Sequence, residues 1–503
     1  MTDYRDAHMT GRNTASRATD PATQDARGWA AWVIVFAIAL TVLALWLTDL
    51  NLPLGDSDDG RILARLGLSA RNFWDLGPAE SGFGARIDPY IRAEYGVEPG
   101  MDPPLEAITY AHHPPLPTFV TILSVGLLGD SVAALRIAGF LLGSATIVFM
   151  AALARAVGMA WGPTVLATAA MAATGFFFVY GRIGVGFSLI AASVAMVAYL
   201  KEQENPKQWV TTLAAVLSFL TAMQSWVAIA AMGLLVVWLY SAHGLSPVTR
   251  RVAIGALAGV AVTATWLLLG TTAAELGNRV AFRVDSTDYP FWDFLARQWR
   301  FAAEFTPVWF RVVAPLALVA GLADRRTRIP VAITLGVAAA WTFGLRQGAW
   351  IHRLWNFPWV APITIGLGAL LDLVRCRIGD RKAAIAGGVG AILVSATFVG
   401  LVTGPVRDTY LRTPAKAGAI LQQATAPEGI MWVTPGIPTP RWVSYHLGVP
   451  VWTLDEAYID RVGPDDLVLT RTDRRRDYIS LSEESILEDD RYRLLAGSGV
   501  RRR

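Results

Sequence analysis

Apolar runs close to the roughly 20 residues that cross a hydrocarbon core recur along this chain. They lie near residues 29–48, 132–154, 161–180, 183–200, 209–224, 226–242, 252–270, 307–323, 329–345, 357–374 and 384–404. With 53% of 503 residues hydrophobic and 17% charged, the composition belongs to a polytopic membrane protein. Residues 1–28 are polar and lack apolar periodicity, and read as a disordered cytoplasmic tail. The run from Trp29 is too long for a signal-peptide core and no small-residue cleavage pattern follows it, so it reads as a retained start-transfer helix. The single cysteine, Cys376, can make no internal disulfide and has no metal-ligand set around it.

Basic residues on short loops mark the cytoplasmic side. Arg155, segment 201–207, Arg250-Arg251, segment 324–328 and the cluster 375–382 share one side with the N-terminus, provided that 115–129 does not cross. That run is short, starts with Pro114-Pro115-Leu116-Pro117 and ends at Gly129-Asp130, which suits an interfacial or re-entrant helix. The expectation is therefore an all-α polytopic domain of about 11 crossings plus interfacial helices, with the N-terminus inside. Loops 49–131, 271–306 and 346–356 then face the other compartment. Segment 271–306 interleaves Phe291, Trp292, Phe294, Trp299, Phe301 and Phe305 with Asp293, Arg297, Arg300 and Glu304, the pattern of a helix lying at headgroup depth.

From about residue 405 the hydropathy falls to that of a soluble domain. Segments 429–433 and 466–470 read as strands, 414–425 and 482–489 as helical. Three regions result: the tail 1–28, a membrane domain 29–404 with its first outer loop at 49–131, and a small extracytoplasmic α/β domain at 405–503. The last carries no motif that assigns it a catalytic part.

The first outer loop is far longer than an inert connector needs to be. It opens with Asp56-Ser57-Asp58-Asp59-Gly60, and three carboxylates this close repel one another unless a cation or a task offsets the cost. They suit a general base, acceptors for sugar hydroxyls, or ligands of a divalent cation. They equally suit the cap of a helix that follows from Arg61. The loop closes with His112 and His113, held stiffly before Pro114-Pro115. Arg136, Arg182 and Arg353, the last beside His352, sit near outer helix ends, where a guanidinium either snorkels to headgroups or forks onto a phosphate. These residues together suit transfer of a sugar from a lipid-linked phosphate: cations neutralise the departing phosphate while a carboxylate takes the acceptor proton.

Several pieces, in order, resemble the integral-membrane (GT-C) glycosyltransferases of family 39, the group of protein O-mannosyltransferases and lipid A aminoarabinose transferases. They are Asp58-Asp59 with Leu68-Ser69-Ala70-Arg71-Asn72-Phe73, and Tyr110-Ala111-His112-His113-Pro114-Pro115-Leu116. Gly129-Asp130-Ser131 with Leu135-Arg136, Tyr180-Gly181-Arg182, and Ile351-His352-Arg353-Leu354-Trp355-Asn356-Phe357-Pro358 complete the set. The resemblance spans most of 29–404. It implies a polyprenyl-phosphate sugar donor, metal-independent chemistry, and a first-loop acid as base, carried here to Asp58 first and Asp59 second. Asp56, His112, His113, Arg136, Arg182, His352 and Arg353 then become substrate-binding candidates. Two departures leave the acceptor open: the family pair is usually Asp-Glu, and His113 stands where aminoarabinose transferases have a Lys.

The expected function is an inverting glycosyltransferase of a bacterial inner membrane, moving a sugar to a lipid, glycan or protein acceptor at the outer face. No nucleic acid is involved. Membrane lipids surround it, and no cofactor is called for beyond a divalent cation at the Asp cluster. The competing reading is a transporter or flippase, against which stand the lack of an internal repeat and of mid-helix charge.

Overall fold

In lipid every backbone polar group must be satisfied within its own segment, so apolar runs become helices. The computed structural model describes residues 21–92, 95–111, 113–183, 188–203, 206–284, 289–435, 437, 440–472, 479–481, 485–489 and 491–502, and a helix coincides with each expected run. Gly28–Leu47, Val132–Ala156, Trp226–His243, Pro247–Gly270, Arg353–Ile378 and Arg381–Gln423 are long and apolar enough to cross a membrane. Ser188–Lys201, Gln208–Ala222, Arg328–Gly344 and Leu116–Leu128 are shorter apolar helices.

Several expectations need correcting. The run at 161–180 is not one rod. Trp161–Ala172 and Gly175–Ile183 meet at 67°, because the Thr174 hydroxyl accepts from the Phe177 amide and starts a new helix. By contrast, the surface helix and the span expected on either side of residue 306 are separate as read: Phe291–Phe305 and Val308–Ala323 meet at 117°, with Pro307 at the break. The first helix begins at Pro21, inside the stretch read as tail, since a membrane helix continues past its apolar part; residues 1–20 lie outside the described residues. Loop 346–356 holds a short helix, Arg346–Ile351, and part of the 3-10 segment Arg353–Trp359. Over its described residues, 485–489, the segment read as helical is not a helix: Leu487–Glu488 pairs as a strand, and cross-strand pairing overrides a weak local pattern; 482–484 lie outside the described residues.

The C-terminal sheet comprises β1 (Met431–Val433), β2 (Val451–Thr453), β3 (Leu467–Arg471), β4 (Ile479–Leu481), β5 (Leu487–Glu488), β6 (Tyr492–Ala496) and β7 (Val500–Arg502). Five strands run in the order β2-β1-β3-β6-β5, while β4 pairs with β7. Strand β1 is parallel to β2 and β3, and β6 is antiparallel to β3, so Arg471 stands opposite Tyr492. Asp466 locks the sheet edge by accepting from the Ile430 and Gly463 amides and the Trp432 indole. The hydropathy step at 405 falls inside the continuous helical stretch Arg381–Gln423, so a helix joins the sheet to the membrane part.

Helix Val132–Ala156 relates the two ends of the bundle. Arg136 at its start pairs with Asp59, and Arg155 lies at its far end, about 28 Å away at 1.5 Å per residue. At that far end Arg326 donates to the Gly158 carbonyl and pairs with Asp372, which also pairs with Arg375. Arg155, Arg326 and Arg375 thus collect at the end opposite the first-loop aspartates.

Candidate active site

The Ser57 hydroxyl accepts from the Gly60 amide at 2.9 Å and caps the helix Asp58–Leu76. Asp58 and Asp59 therefore occupy a first helical turn, where carboxylates are favoured. Successive helical residues point about 100° apart, so the two side chains leave in different directions.

Asp59 turns into the protein. Its carboxylate meets Arg136 at 2.8 Å and Arg182 at 3.5 Å, with side-chain exposures of 3%, 1% and 0% for the three. Arg182 also holds Asp49 at 3.0 Å, and Arg407 holds Asp49 at 2.6 Å. Arg136 donates further to the carbonyls of Asp49, Leu50 and Leu52. Burial alone would raise the Asp59 carboxyl, but the two guanidiniums outweigh it and hold it below the usual carboxylate range. Two carboxylates and three guanidiniums thus form a closed lattice tying five chain segments together. The structure places Asp59, Arg136 and Arg182 in it, facing one another.

Asp58 turns outward and is 24% exposed. The Tyr180 hydroxyl donates to it at 3.0 Å and Arg61 pairs with it at 3.2 Å. Arg61 and Arg65 follow Asp58 by three and seven residues, on one helix face. Around this face lie arginines from distant segments. Arg65 and Arg441 sit over the Tyr110 ring at 4.9 and 4.4 Å, and Arg283 over Trp355 at 5.6 Å. Among the described residues Arg65, Arg283 and Arg441 have no carboxylate in ion-pair contact. Burial, with Arg441 beside it, brings Arg65 down to about 10.

His113 and His352 complete this wall, while His112 lies outside the described residues. Burial and then the Arg283 charge bring His352 to about 4, although Asp58 pulls the other way. Arg65, Arg283 and Arg441 bear on His113 and disfavour its charged form. Both imidazoles are therefore neutral near pH 7 and act as hydrogen-bonding groups rather than cations. Arg353 pairs with Glu304 at 3.1 Å, and the Tyr410 hydroxyl donates to the same carboxylate at 2.7 Å.

Asp56 points a third way, to the Tyr492 hydroxyl at 3.1 Å and Arg471 at 3.7 Å. Burial raises its carboxyl against the pull of Arg61, Tyr492 and Arg471. The three aspartates diverge, and among the described residues no three His, Cys, Asp or Glu side chains converge.

A groove of about 670 Å³ opens along the aromatic helix Phe291–Phe305, with Phe310, Ala314 and Leu318 on one wall and Phe343, Trp359 and Ile363 on the other. Phe176 also lines it, and one helical turn on Tyr180 holds Asp58. The sequence reading missed Arg61, Arg65, Arg283 and Arg441. The spacing 58, 61, 65 on a capped helix would have revealed the first two; the others are brought in only by tertiary folding.

No family model matches the sequence, and no curated protein matches it either. Among solved structures it is similar to ArnT from Cupriavidus metallidurans bound to undecaprenyl phosphate, at TM-score 0.58 and 15% identity, over 93% of this chain and 98% of that one. The apo state of the same ArnT matches over the same shares, at TM-score 0.57 and 14% identity. At such identity the likeness shows the fold alone, one that this chain shares with ArnT over nearly the full length of both chains.

Proposed function

We propose that this chain is an inverting glycosyltransferase that takes a sugar from a polyprenyl phosphate and delivers it to an acceptor hydroxyl on the non-cytoplasmic side. The observation that carries this reading is an accessible carboxylate, Asp58, beside guanidiniums that among the described residues no carboxylate matches, and held by Tyr180 one helical turn from Phe176 of an apolar groove. The groove suits the prenyl tail, and the guanidiniums suit the phosphate, which they bind better than neutral groups do. The similar ArnT structure has undecaprenyl phosphate bound, which supports a lipid of this class. The gathering of Arg155, Arg326 and Arg375 at the opposite end of the bundle supports the orientation.

In the reaction Asp58 removes the proton of the acceptor hydroxyl as its oxygen attacks the anomeric carbon. The bond from that carbon to the phosphate oxygen breaks, and its electron pair stays on the phosphate. Arg65, Arg283 and Arg441 stabilise the charge that develops there, with neutral His113 and His352 donating hydrogen bonds. Single displacement inverts the anomeric configuration. Tyr180 and Arg61 orient the base.

Proteoliposomes loaded with undecaprenyl-phosphate-linked sugars test the proposal. A transferase cleaves the sugar-lipid and releases undecaprenyl phosphate in step with glycoside formation. Movement of the lipid without bond cleavage would overturn it in favour of transport.

A further inference from the structure

The C-terminal domain touches the strand of chain leading into Asp58 at successive residues. His446 Nε2 meets the Leu54 carbonyl at 2.9 Å. A Cβ on Gly55 would collide with the Pro414 carbonyl, and one on Gly418 with the Leu54 carbonyl, so paired glycines let two backbones touch here. Asp56 comes next. The Tyr492 hydroxyl donates to its Oδ2 at 3.1 Å, and Arg471 approaches the same oxygen at 3.7 Å. Those two residues stand opposite each other across β3 and β6, so sheet register alone brings them to one point. The Asp56 side chain is 5% exposed, and among the described residues its Oδ1 is buried without a hydrogen-bond partner. Such a carboxyl is costly to bury; the charge of Arg61 on the following helix favours it, and the sheet supplies its hydrogen bond through Tyr492. Ser57, the helix cap, and Asp58 follow directly.

We infer that Tyr492 is a positioning residue for the transfer: by gripping Asp56 it makes the C-terminal domain set where Asp58 sits against the reacting carbon. This rests on the reading of Asp58 as base. The domain that the sequence assigned no catalytic part thus becomes a working element of the site. An error of about 1 Å in the placement of a catalytic group costs on the order of 100-fold, which makes such a grip worth having.

Two readouts on the full-length protein test it. Hydrogen exchange, which needs no substrate, is expected to accelerate in Tyr492→Phe over residues 54–62 while β1 and β3 keep wild-type protection. Turnover is followed as release of undecaprenyl phosphate from undecaprenyl-phosphate-linked mannose, glucose, galactose or arabinose. Tyr492→Phe should lower kcat about tenfold with KM for the donor held. It should add nothing to Asp56→Ala, and Asp56→Asn, which still accepts from the Tyr492 hydroxyl, should lose less than Asp56→Ala. Wild-type exchange at 54–62 in Tyr492→Phe, additive losses, or equal losses in the two Asp56 variants would overturn the inference. Asp58→Asn separates the two claims. Unchanged turnover in that variant removes Asp58 as the base, while exchange still reports whether Tyr492 holds the loop.

Discussion

Two regions barely one helical turn apart use the same residue types to opposite ends. In the interior lattice, Asp49 and Asp59 are matched by Arg136, Arg182 and Arg407, and each charge has its counterpart at ion-pair distance. In the cavity, Asp58 faces Arg61 while Arg65, Arg283 and Arg441 carry charge that, among the described residues, no carboxylate matches. Charges that are matched hold segments together. Those left over are the ones the proposed reading assigns to the donor phosphate, since an unpaired guanidinium in such a site is costly without an anion. The neighbouring residues Asp58 and Asp59 fall on either side of this divide only because a helix turns between them.

The sharpest way to break the contrast is to remove one charge from each side. Asp58→Asn should leave insertion and folding intact and reduce turnover by roughly 100- to 10,000-fold, the span general-base catalysis supplies. Asp59→Asn should instead cost about 3–5 kcal/mol of stability by leaving buried guanidiniums unmatched, read as loss of folded protein in detergent. Equal effects of the two on turnover per folded molecule would erase the distinction.

Next in size are the unmatched guanidiniums. Arg441→Gln and Arg283→Gln should each slow transfer about 10- to 100-fold, the worth of a hydrogen bond to a charged group, without loss of folded protein. Wild-type rates in both would remove the phosphate from this wall. The groove comes third. Ala314→Trp should raise KM for an undecaprenyl donor about tenfold, since each methylene kept in water costs about 0.8 kcal/mol. A short-chain analogue of the donor should be affected less, and equal sensitivity would say that the tail lies elsewhere.

The smallest effect concerns acid stability at the seam between domains. Burial brings His446 to about 4, beside the Leu54 carbonyl, against about 6.5 for the unfolded chain. The folded state therefore resists protonation. Above pH 6.5 the group costs nothing, and stability falls as pH drops from about 6.5 toward 4, because the unfolded chain takes up the proton first. His446→Gln should flatten the pH dependence of thermal unfolding in that window; an unchanged slope would place the acid sensitivity elsewhere.

Much of this was legible in the sequence. Apolar run length placed the helices, and the Gly129-Asp130 and Pro114-Pro115 boundaries bracketed the short helix Leu116–Leu128. Asp58 stood out from its crowding with other carboxylates. Pattern reading could not tell which aspartate faces inward, because that depends on the helix phase fixed by the Ser57 cap. It could not foresee that Arg136 and Arg182 would be spent on Asp59, nor that Arg441 and Tyr492 would arrive from the far end of the chain. Partners so distant in sequence leave no local signature; the sheet register and the helix Arg381–Gln423 bring Tyr492 to Asp56, and tertiary folding brings Arg441 to the Tyr110 ring.

The most direct measurement is a structure of the protein with undecaprenyl phosphate bound. The account predicts the phosphate within hydrogen-bond reach of Arg65, Arg283 or Arg441, with Asp58 facing the carbon side of the phosphate and the tail entering the groove beside Phe310 and Ala314. A phosphate seated instead on Arg136 and Arg182, with the Asp59 lattice opened to receive it, would contradict it.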